Sequence, residues 1–298
     1  MKNIVLSTLL ASTLLTGVVQ AKDTAAKDAT VKEVNKIAVS NAKSDAKAHE
    51  AKLVTEAINS LKDAHEALVA LEKKDEDLAT KKLESALGKL EVILASNKVP
   101  ELLPIDSLIR VNEYIGTSKE IDLTLNTVQG LLKENKVQEA RALMLPLQSE
   151  IDITTVSLPL ASYPDALKLA AKYVHSHEVD KAKEVLAIAL STFTSVTQIV
   201  PIPLIKATDL IAASATVAKE DKTRALAYLD AASESLKVAE KLGYVSKSTT
   251  TYKMLQDQIE AVQKEIKGPN KAEKLFETLK TSLKEFKEKI FSAKNEKK

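Results

Sequence analysis

The sequence predicts an all-α protein of stacked helical hairpins, either a compact bundle or a short solenoid, with an antiparallel coiled-coil hairpin at the C-terminus. Three observations favour this fold class. Glycine is scarce, at 6 of 298 residues, which leaves little room for the tight turns of a strand-rich fold. Ala and Leu, both strong helix formers, dominate the apolar residues. Long stretches place apolar residues three or four positions apart, which is the spacing of one helix face.

Composition also excludes several classes of protein. The 43 basic residues nearly cancel the 41 acidic ones, and a net charge of +2 gives no electrostatic basis for nucleic-acid binding. Aromatic residues make up 3% of the chain, which is too few for base-stacking platforms. Cysteine is absent, so disulfides, thiolate metal ligands and cysteine nucleophiles are excluded. With 45% hydrophobic residues, the chain can bury one large core or two modest ones.

Residues 1–21 have the pattern of a secretory signal peptide. Lys2 supplies the positive charge, Ile4–Val19 is apolar, and Val19-Gln20-Ala21 places small residues at the cleavage site, so we expect cleavage after Ala21. A retained membrane anchor is the alternative, because the uncharged stretch from Asn3 to Ala21 is 19 residues long. We expect a periplasmic protein with no stable membrane insertion after signal cleavage.

The next segments are a predicted flexible tether at residues 22–45 and a helical domain at residues 46–245. Sparse apolar residues such as Val34 give the tether only a weak helical stripe, able to become helical on docking. The domain begins with a helical hairpin whose second helix starts at about Glu76. Its apolar residues follow helical spacing: Leu53, Ala57, Leu61, Ala64, Leu68 and Leu71, then Ala79, Leu83, Ala86, Leu87, Leu90 and Leu94.

Residues 97–117 interrupt the helical pattern. Pro100 and Pro104 cannot lie inside a helix, and the segment between the two hairpins is too apolar for a freely solvated loop. We expect an irregular segment pressed against the core. Asp106 has no visible catalytic partner, and an N-cap of a short helix is its expected role.

A degenerate repeat of about 42 residues follows. At this offset Val137 and Ala140 correspond to Val179 and Ala182, and Pro159 corresponds to Pro201. A third and weaker copy is centred on Ala225. The small residue after each turn allows two helices to approach closely, which predicts hairpins that bury their apolar faces on one another. The only strand pairing that we expect is a short one near Ile151–Val156 and Thr197–Val200.

Residues 250–294 form the predicted C-terminal coiled-coil hairpin. Two apolar stripes have the 3-4-3-4 spacing of a coiled coil: Tyr252, Leu255, Ile259, Val262 and Ile266, then Phe276, Leu279, Leu283, Phe286 and Ile290. Gly268-Pro269-Asn270 supplies the turn between them. The stripe can dock on the main bundle or pair with a second copy, and the polar linker before it favours pairing between copies.

Few residues are candidates for chemistry. His175 and His177 are two positions apart at a helix end, where a weak metal site is possible but solvated turn histidines are favoured. The Lys-rich segment 264–298 could contact anionic lipid or nucleic acid, but interspersed Glu favours a solvated exterior. We therefore assign no catalytic, cofactor-binding or metal-binding residue, and we expect no cofactor.

Residues 46–244 resemble the YfdX family of exported bacterial proteins. The resemblance is carried by four features: Leu103-Pro104-Ile105-Asp106, the turn Lys136-Val137-Gln138-Glu139-Ala140, Val156 with Leu158-Pro159-Leu160, and the helix Ala166-Leu167-Lys168-Leu169-Ala170. It implies a periplasmic, mostly helical protein associated with acid and heat stress, with chaperone-like behaviour and self-association. It implies no catalytic residues. The hairpin after residue 250 lies outside the family pattern.

These observations predict a non-enzymatic, stress-related protein that binds other proteins or unfolded clients and forms a homo-oligomer, with no nucleic-acid partner. The alternative is a small-ligand-binding protein with a pocket between hairpins, lined by the Pro-rich connectors. These connectors are Val156–Pro159 and Ile199–Pro203. A deep polar pocket would favour the alternative, and a shallow apolar surface would favour protein binding.

Overall fold

The computed structural model describes residues 29–48, 52, 54–95, 100–246, 250–268 and 272–292. The predicted signal peptide lies outside the described residues. The chain forms two compact units: unit 1 contains Glu50–Ile109 and Ile153–Gln198, and unit 2 contains residues 29–48, Arg110–Asp152 and 199–292. None of the described helices is long and apolar enough to cross a membrane.

The described residues are mostly helical, as the sequence predicts. The described helices are α1 (Val31–Ala48), α2 (Thr55–Glu72), α3 (Glu76–Leu94), α4 (Ser118–Lys133), α5 (Val137–Met144), α6 (Tyr163–His175), α7 (Val179–Ala189), α8 (Ile202–Val217), α9 (Lys222–Lys241), α10 (Thr250–Lys267) and α11 (Glu273–Ser292).

The all-α prediction is wrong in one respect, because a three-stranded antiparallel sheet is present. The strands are β1 (Leu102–Asn112), β2 (Glu150–Pro159) and β3 (Thr194–Pro201), in the order β1-β2-β3. Thr154 on β2 and Thr197 on β3 share a hydrogen bond of 2.9 Å between their hydroxyl oxygens. The pairing predicted for these two segments is therefore confirmed, but it is longer than expected and has a third strand.

That third strand, β1, replaces the irregular segment predicted at residues 97–117. Pro104 prevents a helix here but is tolerated in an edge strand, where its missing N–H costs no sheet hydrogen bond. Leu103 is fully buried and Ile105 is half-buried. The strand therefore buries the apolar residues that were expected to contact the core.

Unit 1 buries its apolar residues between two helical hairpins. Helix α2 packs on α3 and α7, and α6 packs on α3 and α7. Alanines fill many of the buried positions and allow close approach of the helices: Ala57, Ala64, Ala67, Ala79, Ala86, Ala170 and Ala182. Fully buried leucines, such as Leu71 and Leu186, each stabilise the fold by roughly 1.5–3 kcal/mol relative to exposure.

The turns α2–α3, α4–α5 and α6–α7 have the same backbone geometry. Lys74, Asn135 and His177 adopt the left-handed conformation, with φ of 60°, 61° and 56°. In each turn this residue donates its N–H to the carbonyl three positions back, and the next residue donates to the carbonyl five positions back. This is a Schellman motif, which satisfies the last carbonyls of a helix. The turns confirm the predicted helix ends, while the 42-residue repeat stays a prediction.

Unit 2 has a core formed by α1, α8, α9, α10 and α11. Helix α1 occupies most of the predicted tether, which the sequence analysis expects to become helical on docking. Its buried face consists of small residues that pack against α8 and α9: Val34, Ala38, Val39, Ala42 and Ala46. The hydroxyl of the buried Tyr228 on α9 also donates a hydrogen bond to the carbonyl of Ala29, just before α1 begins.

The C-terminal hairpin also belongs to this core, contrary to the preference for pairing between copies. Helix α10 packs on α9 and α11, and α11 packs on α8. The predicted stripe is buried within the chain at Tyr252, Leu255, Ile259, Val262, Ile266, Phe276 and Leu279. These residues of the stripe are therefore already covered by neighbouring helices, whereas Leu283, Phe286 and Ile290 lie outside the residues whose side chains the structure describes.

Candidate functional site

A polar cluster in unit 2 surrounds the start of β2. Ser149 is buried, and its N–H donates to the hydroxyl of Tyr244 at 2.8 Å. The carbonyl of Ser149 accepts from the N–H of Ile202, the first residue of α8, at 2.9 Å. Gly243 ends α9 in the left-handed conformation, with φ of 85°, and Tyr244 follows it. The cluster thus ties the start of β2 to α8 and to the end of α9.

Two groups of this cluster have altered proton affinities. Burial, and then the nearby Glu150 carboxylate, raise the pKa of Tyr244, so its hydroxyl stays protonated. Burial also raises the pKa of Asp152, and Arg110 partly offsets this effect. The Oδ1 atom of Asp152 is shielded from solvent and has no hydrogen-bond partner among the described residues. The hydrogen bonds of Tyr244 and Ser149 connect backbone elements, which supports a structural role for the cluster.

The histidines named from the sequence lie in the α6–α7 turn of unit 1, and both are exposed. His177 Nδ1 lies 2.8 Å from Oε2 of Glu76 at the start of α3. No group of three or more His, Asp or Glu side chains positioned to hold a metal occurs within the described residues. The arrangement is that of solvated turn histidines, one of which makes an ion pair when protonated.

The N-cap role expected for Asp106 is wrong. Asp106 lies within β1 and is exposed, and its Oδ1 accepts a hydrogen bond of 2.9 Å from the N–H of Ser107. The Lys-rich C-terminal segment places Lys267, Lys274 and Lys280 at exposed positions of α10 and α11, on a solvated exterior.

The α4–α5 hairpin of unit 2 exposes several large apolar side chains. Helix α5 packs on α4 through Ala140, its only buried residue. Val137 and Met144 are one heptad apart on the same side of α5, and they are 55% and 50% exposed. Leu145 directly after α5 and Leu132 near the end of α4 are exposed as well. We call Leu132, Val137, Met144 and Leu145 the hairpin apolar surface.

Helix α7 of unit 1, which the predicted 42-residue repeat pairs with α5, differs from it in the exposure of one apolar residue. At the 42-residue offset, Ala140 and Met144 of α5 correspond to Ala182 and Leu186 of α7. Both α7 residues are fully buried, because α2 covers α7. Met144 of α5 is half exposed instead. Sequence reasoning missed this surface, because the two helices have the same apolar spacing and differ only in what covers them.

The fold and this surface define a class: mostly helical proteins of paired hairpins with a small antiparallel sheet and an exposed apolar hairpin. Residues 60–199 match the family model of the YfdX protein, which supports assignment of this segment to the YfdX family. The resemblance seen in the sequence is thereby confirmed.

The chain is also similar to the solved structure of the YfdX protein of Salmonella Typhi. The two chains share 15% sequence identity with a TM-score of 0.36, and the match covers 50% of this chain and 93% of that one. No curated protein matches the chain.

Proposed function

We propose that this YfdX-family protein is an exported, non-enzymatic, stress-related protein that binds partly unfolded polypeptides or partner proteins through the hairpin apolar surface. The observation that carries the proposal is the half-exposed Val137 and Met144 on a helix whose counterpart α7 is covered. Contiguous exposed apolar residues on a soluble protein typically mark an interaction site.

The chemistry of this surface suits varied clients. Met144 is unbranched and polarizable, so it adapts its shape to different apolar partners. Arg141 lies between Val137 and Met144 in the helical spacing and is exposed. It supplies a positive charge beside the apolar residues. Binding of this kind requires no nucleotide, which suits a protein exported to the periplasm.

The test is a thermal-aggregation assay on an unrelated client protein, without ATP. We expect the protein to reduce light scattering at equimolar ratio. The double variant Val137→Asp with Met144→Asp should remove most of this effect, because two carboxylates in the surface oppose burial of an apolar client. Both positions are exposed, so the variant should keep the circular dichroism spectrum and melting temperature of the parent.

The matched control is Ile37→Asp. Ile37 on α1 is 50% exposed, as Met144 is, but it lies on a different helix of unit 2. This variant should suppress aggregation as well as the parent does. Unchanged scattering at several-fold excess of the parent protein would contradict the proposed function.

Export and self-association belong to the same proposal. The signal peptide pattern at residues 1–21 supports periplasmic localisation, and its cleavage is tested by N-terminal sequencing of the protein from the periplasmic fraction. The hairpin apolar surface is also available to a second copy. The molar masses of the double variant and of its parent, measured by light scattering, test whether the homo-oligomer depends on the hairpin apolar surface.

The alternative, small-ligand binding between hairpins, has less support. An open depression of about 440 Å³ has five lining residues within the described part of the chain, all on α10: Lys253, Met254, Asp257, Gln258 and Ala261. It lies along one helix face and is distinct from the Pro-rich connectors that the alternative invokes. A shallow surface of this kind favours contact with a protein over enclosure of a small molecule.

A further inference from the structure

Among the residues that the structure describes, the outer strand β3 has an open edge. Within the described residues, the sheet order β1-β2-β3 leaves β3 with one neighbour. In unit 1, Ser195, Val196 and Thr197 are consecutive exposed residues of this strand. Three consecutive exposed residues in a strand leave both faces accessible, since successive side chains point to opposite faces.

The composition of β3 is unusual for an open edge. Natural edge strands are protected by charged residues, proline or bulges, because their unpaired backbone groups can pair with another chain. The opposite edge, β1, carries Pro104, Asp106 and Arg110. By contrast, β3 has the sequence Thr-Ser-Val-Thr-Gln-Ile-Val-Pro, with no charged residue and its only proline at the last position. Its β-branched residues favour extended pairing.

Apolar side chains lie near this edge in the sequence. Phe193, directly before β3, and Ile188, near the end of α7, are both exposed residues of unit 1. Val196 itself is 53% exposed. An added strand would therefore meet backbone donors and acceptors together with exposed apolar side chains, and no charge within β3 would oppose it.

We infer that the segment Thr194–Gln198 of β3 binds an extended, uncharged, β-branched-rich polypeptide segment by strand addition. In this mode main-chain hydrogen bonds supply the affinity and alternate side chains supply the selectivity. The inference rests on the proposed function, since it concerns polypeptide clients, but it assigns a second surface and a client conformation. Exposed stretches of this composition are typical of partly unfolded β-rich proteins.

The test uses the full chain and a fluorescein-labelled peptide of alternating Thr and Val with a terminal Lys. Fluorescence anisotropy should show binding. Carbonyl ¹³C-labelling of the peptide should give an infrared band of β-structure in the complex. Two further peptides carry N-methyl groups on alternate backbone amides, one on the odd-numbered residues and the other on the even-numbered residues. One of the two should bind at least about tenfold more weakly than the unmethylated peptide, because the N–H groups that would pair with β3 are removed.

Val196→Lys should weaken peptide binding at least about tenfold, because it adds the charge that natural edges use for protection. The control is Leu108→Lys on β1, where the parent residue is 46% exposed and the strand already carries charges. This control should bind as the parent does. The variant with Val137→Asp and Met144→Asp should also retain peptide binding, which separates this inference from the proposed function.

Three results would overturn the inference. The first is the absence of peptide binding by the parent protein. The second is equal binding of both N-methylated peptides, which would mean that side chains alone are recognised. The third is a fall in the protein's own oligomeric mass on Val196→Lys, which would make a second copy the occupant of the edge. None of these results would contradict the proposal that the hairpin apolar surface suppresses aggregation.

Discussion

Two buried tyrosines show how a single hydroxyl affects stability in this protein. The Tyr163 side chain in unit 1 is 2% exposed, and its hydroxyl has no hydrogen-bond partner among the described residues. Tyr228 in unit 2 is also buried, but its hydroxyl donates to the carbonyl of Ala29. Burial alone raises the pKa of Tyr163, as expected for a phenol without a compensating partner. The two positions thus form a natural pair for comparison.

We expect Tyr163→Phe to raise the free energy of unfolding by about 1–3 kcal/mol, because it removes an unsatisfied buried hydroxyl. Tyr228→Phe should instead lower it by about 1 kcal/mol, because it removes a hydrogen bond and leaves the Ala29 carbonyl unpaired. Urea unfolding followed by circular dichroism measures both. A loss of stability in Tyr163→Phe would show that the hydroxyl has a partner, such as a bound water.

Two aspartates should give opposite dependences of stability on pH. Burial raises the pKa of Asp152, so the folded state binds a proton more tightly than the unfolded state. For Asp63 burial acts in the same direction, but hydrogen bonds from Lys89 and Ser85 outweigh it and lower the pKa. Asp63 therefore stabilises the fold above its unfolded-state pKa, and this contribution is lost as the pH falls through its folded-state pKa.

We expect Asp152→Asn to increase stability at neutral pH, because the ionised carboxylate is disfavoured in the folded state. The gain should shrink as the pH falls through the raised folded-state pKa of Asp152. Asp63→Asn should decrease stability at neutral pH, with a smaller loss in acid. Urea midpoints measured from neutral pH to about pH 3 test both signs. Parallel pH profiles of the parent and Asp152→Asn would contradict the first expectation.

At the scale of elements, the apolar stripe of the C-terminal hairpin is compatible with two arrangements, packing on helices of the same chain or pairing with a second copy. The heptad spacing of α10 fits a coiled coil between copies, but in the structure Leu255, Ile259 and Val262 are buried against helices of the same chain. Removal of residues 247–298 would therefore expose apolar surface of α8 and α9. Exposure of this buried apolar surface to water should lower the free energy of unfolding by roughly 25 cal/mol for each Å².

We expect this truncation, and the single change Ile259→Asp, to lower the melting temperature and to melt part of the helix. The aspartate should cost about 3 kcal/mol or more, because it places a charge without a partner at a buried position. Glu260→Ala, at an exposed position of the same helix, should leave the melting curve unchanged. A truncated protein that keeps its melting temperature and has a lower oligomeric mass would show that the hairpin pairs between copies.

At the scale of the whole molecule, the segment shared with the family coincides with one of two cores. The buried residues of the unit 1 core lie almost entirely within residues 60–199. The buried residues of the unit 2 core, from α1 and α8 to α11, all lie outside that segment. The hairpin apolar surface is within the matched segment, whereas the helices that form the unit 2 core are additional.

The N-terminal helix shows a signal that sequence reasoning could have used. Thr30 and Glu33 form a reciprocal cap at the start of α1, in which Thr30 N–H donates to Glu33 Oε2 at 2.7 Å and Glu33 N–H donates to Thr30 Oγ1 at 3.3 Å. Thr-x-x-Glu before an apolar stripe is the sequence mark of such a cap. The same motif at Thr117 and Glu120 begins α4. Attention to it would have predicted a helix where a flexible tether was expected.

The sequence by itself determined most of the helices and their turns, because helical spacing, capping and small-residue positions are local properties of the chain. Glu76 was placed correctly as the start of α3 for this reason. Only the tertiary structure decided that β1 is a strand, because an extended segment needs a neighbouring strand to satisfy its backbone groups. It also decided that Leu186 is buried while Met144 at the equivalent position is exposed. An apolar stripe specifies that a face can be covered, but what covers it depends on which other elements the fold brings to that face.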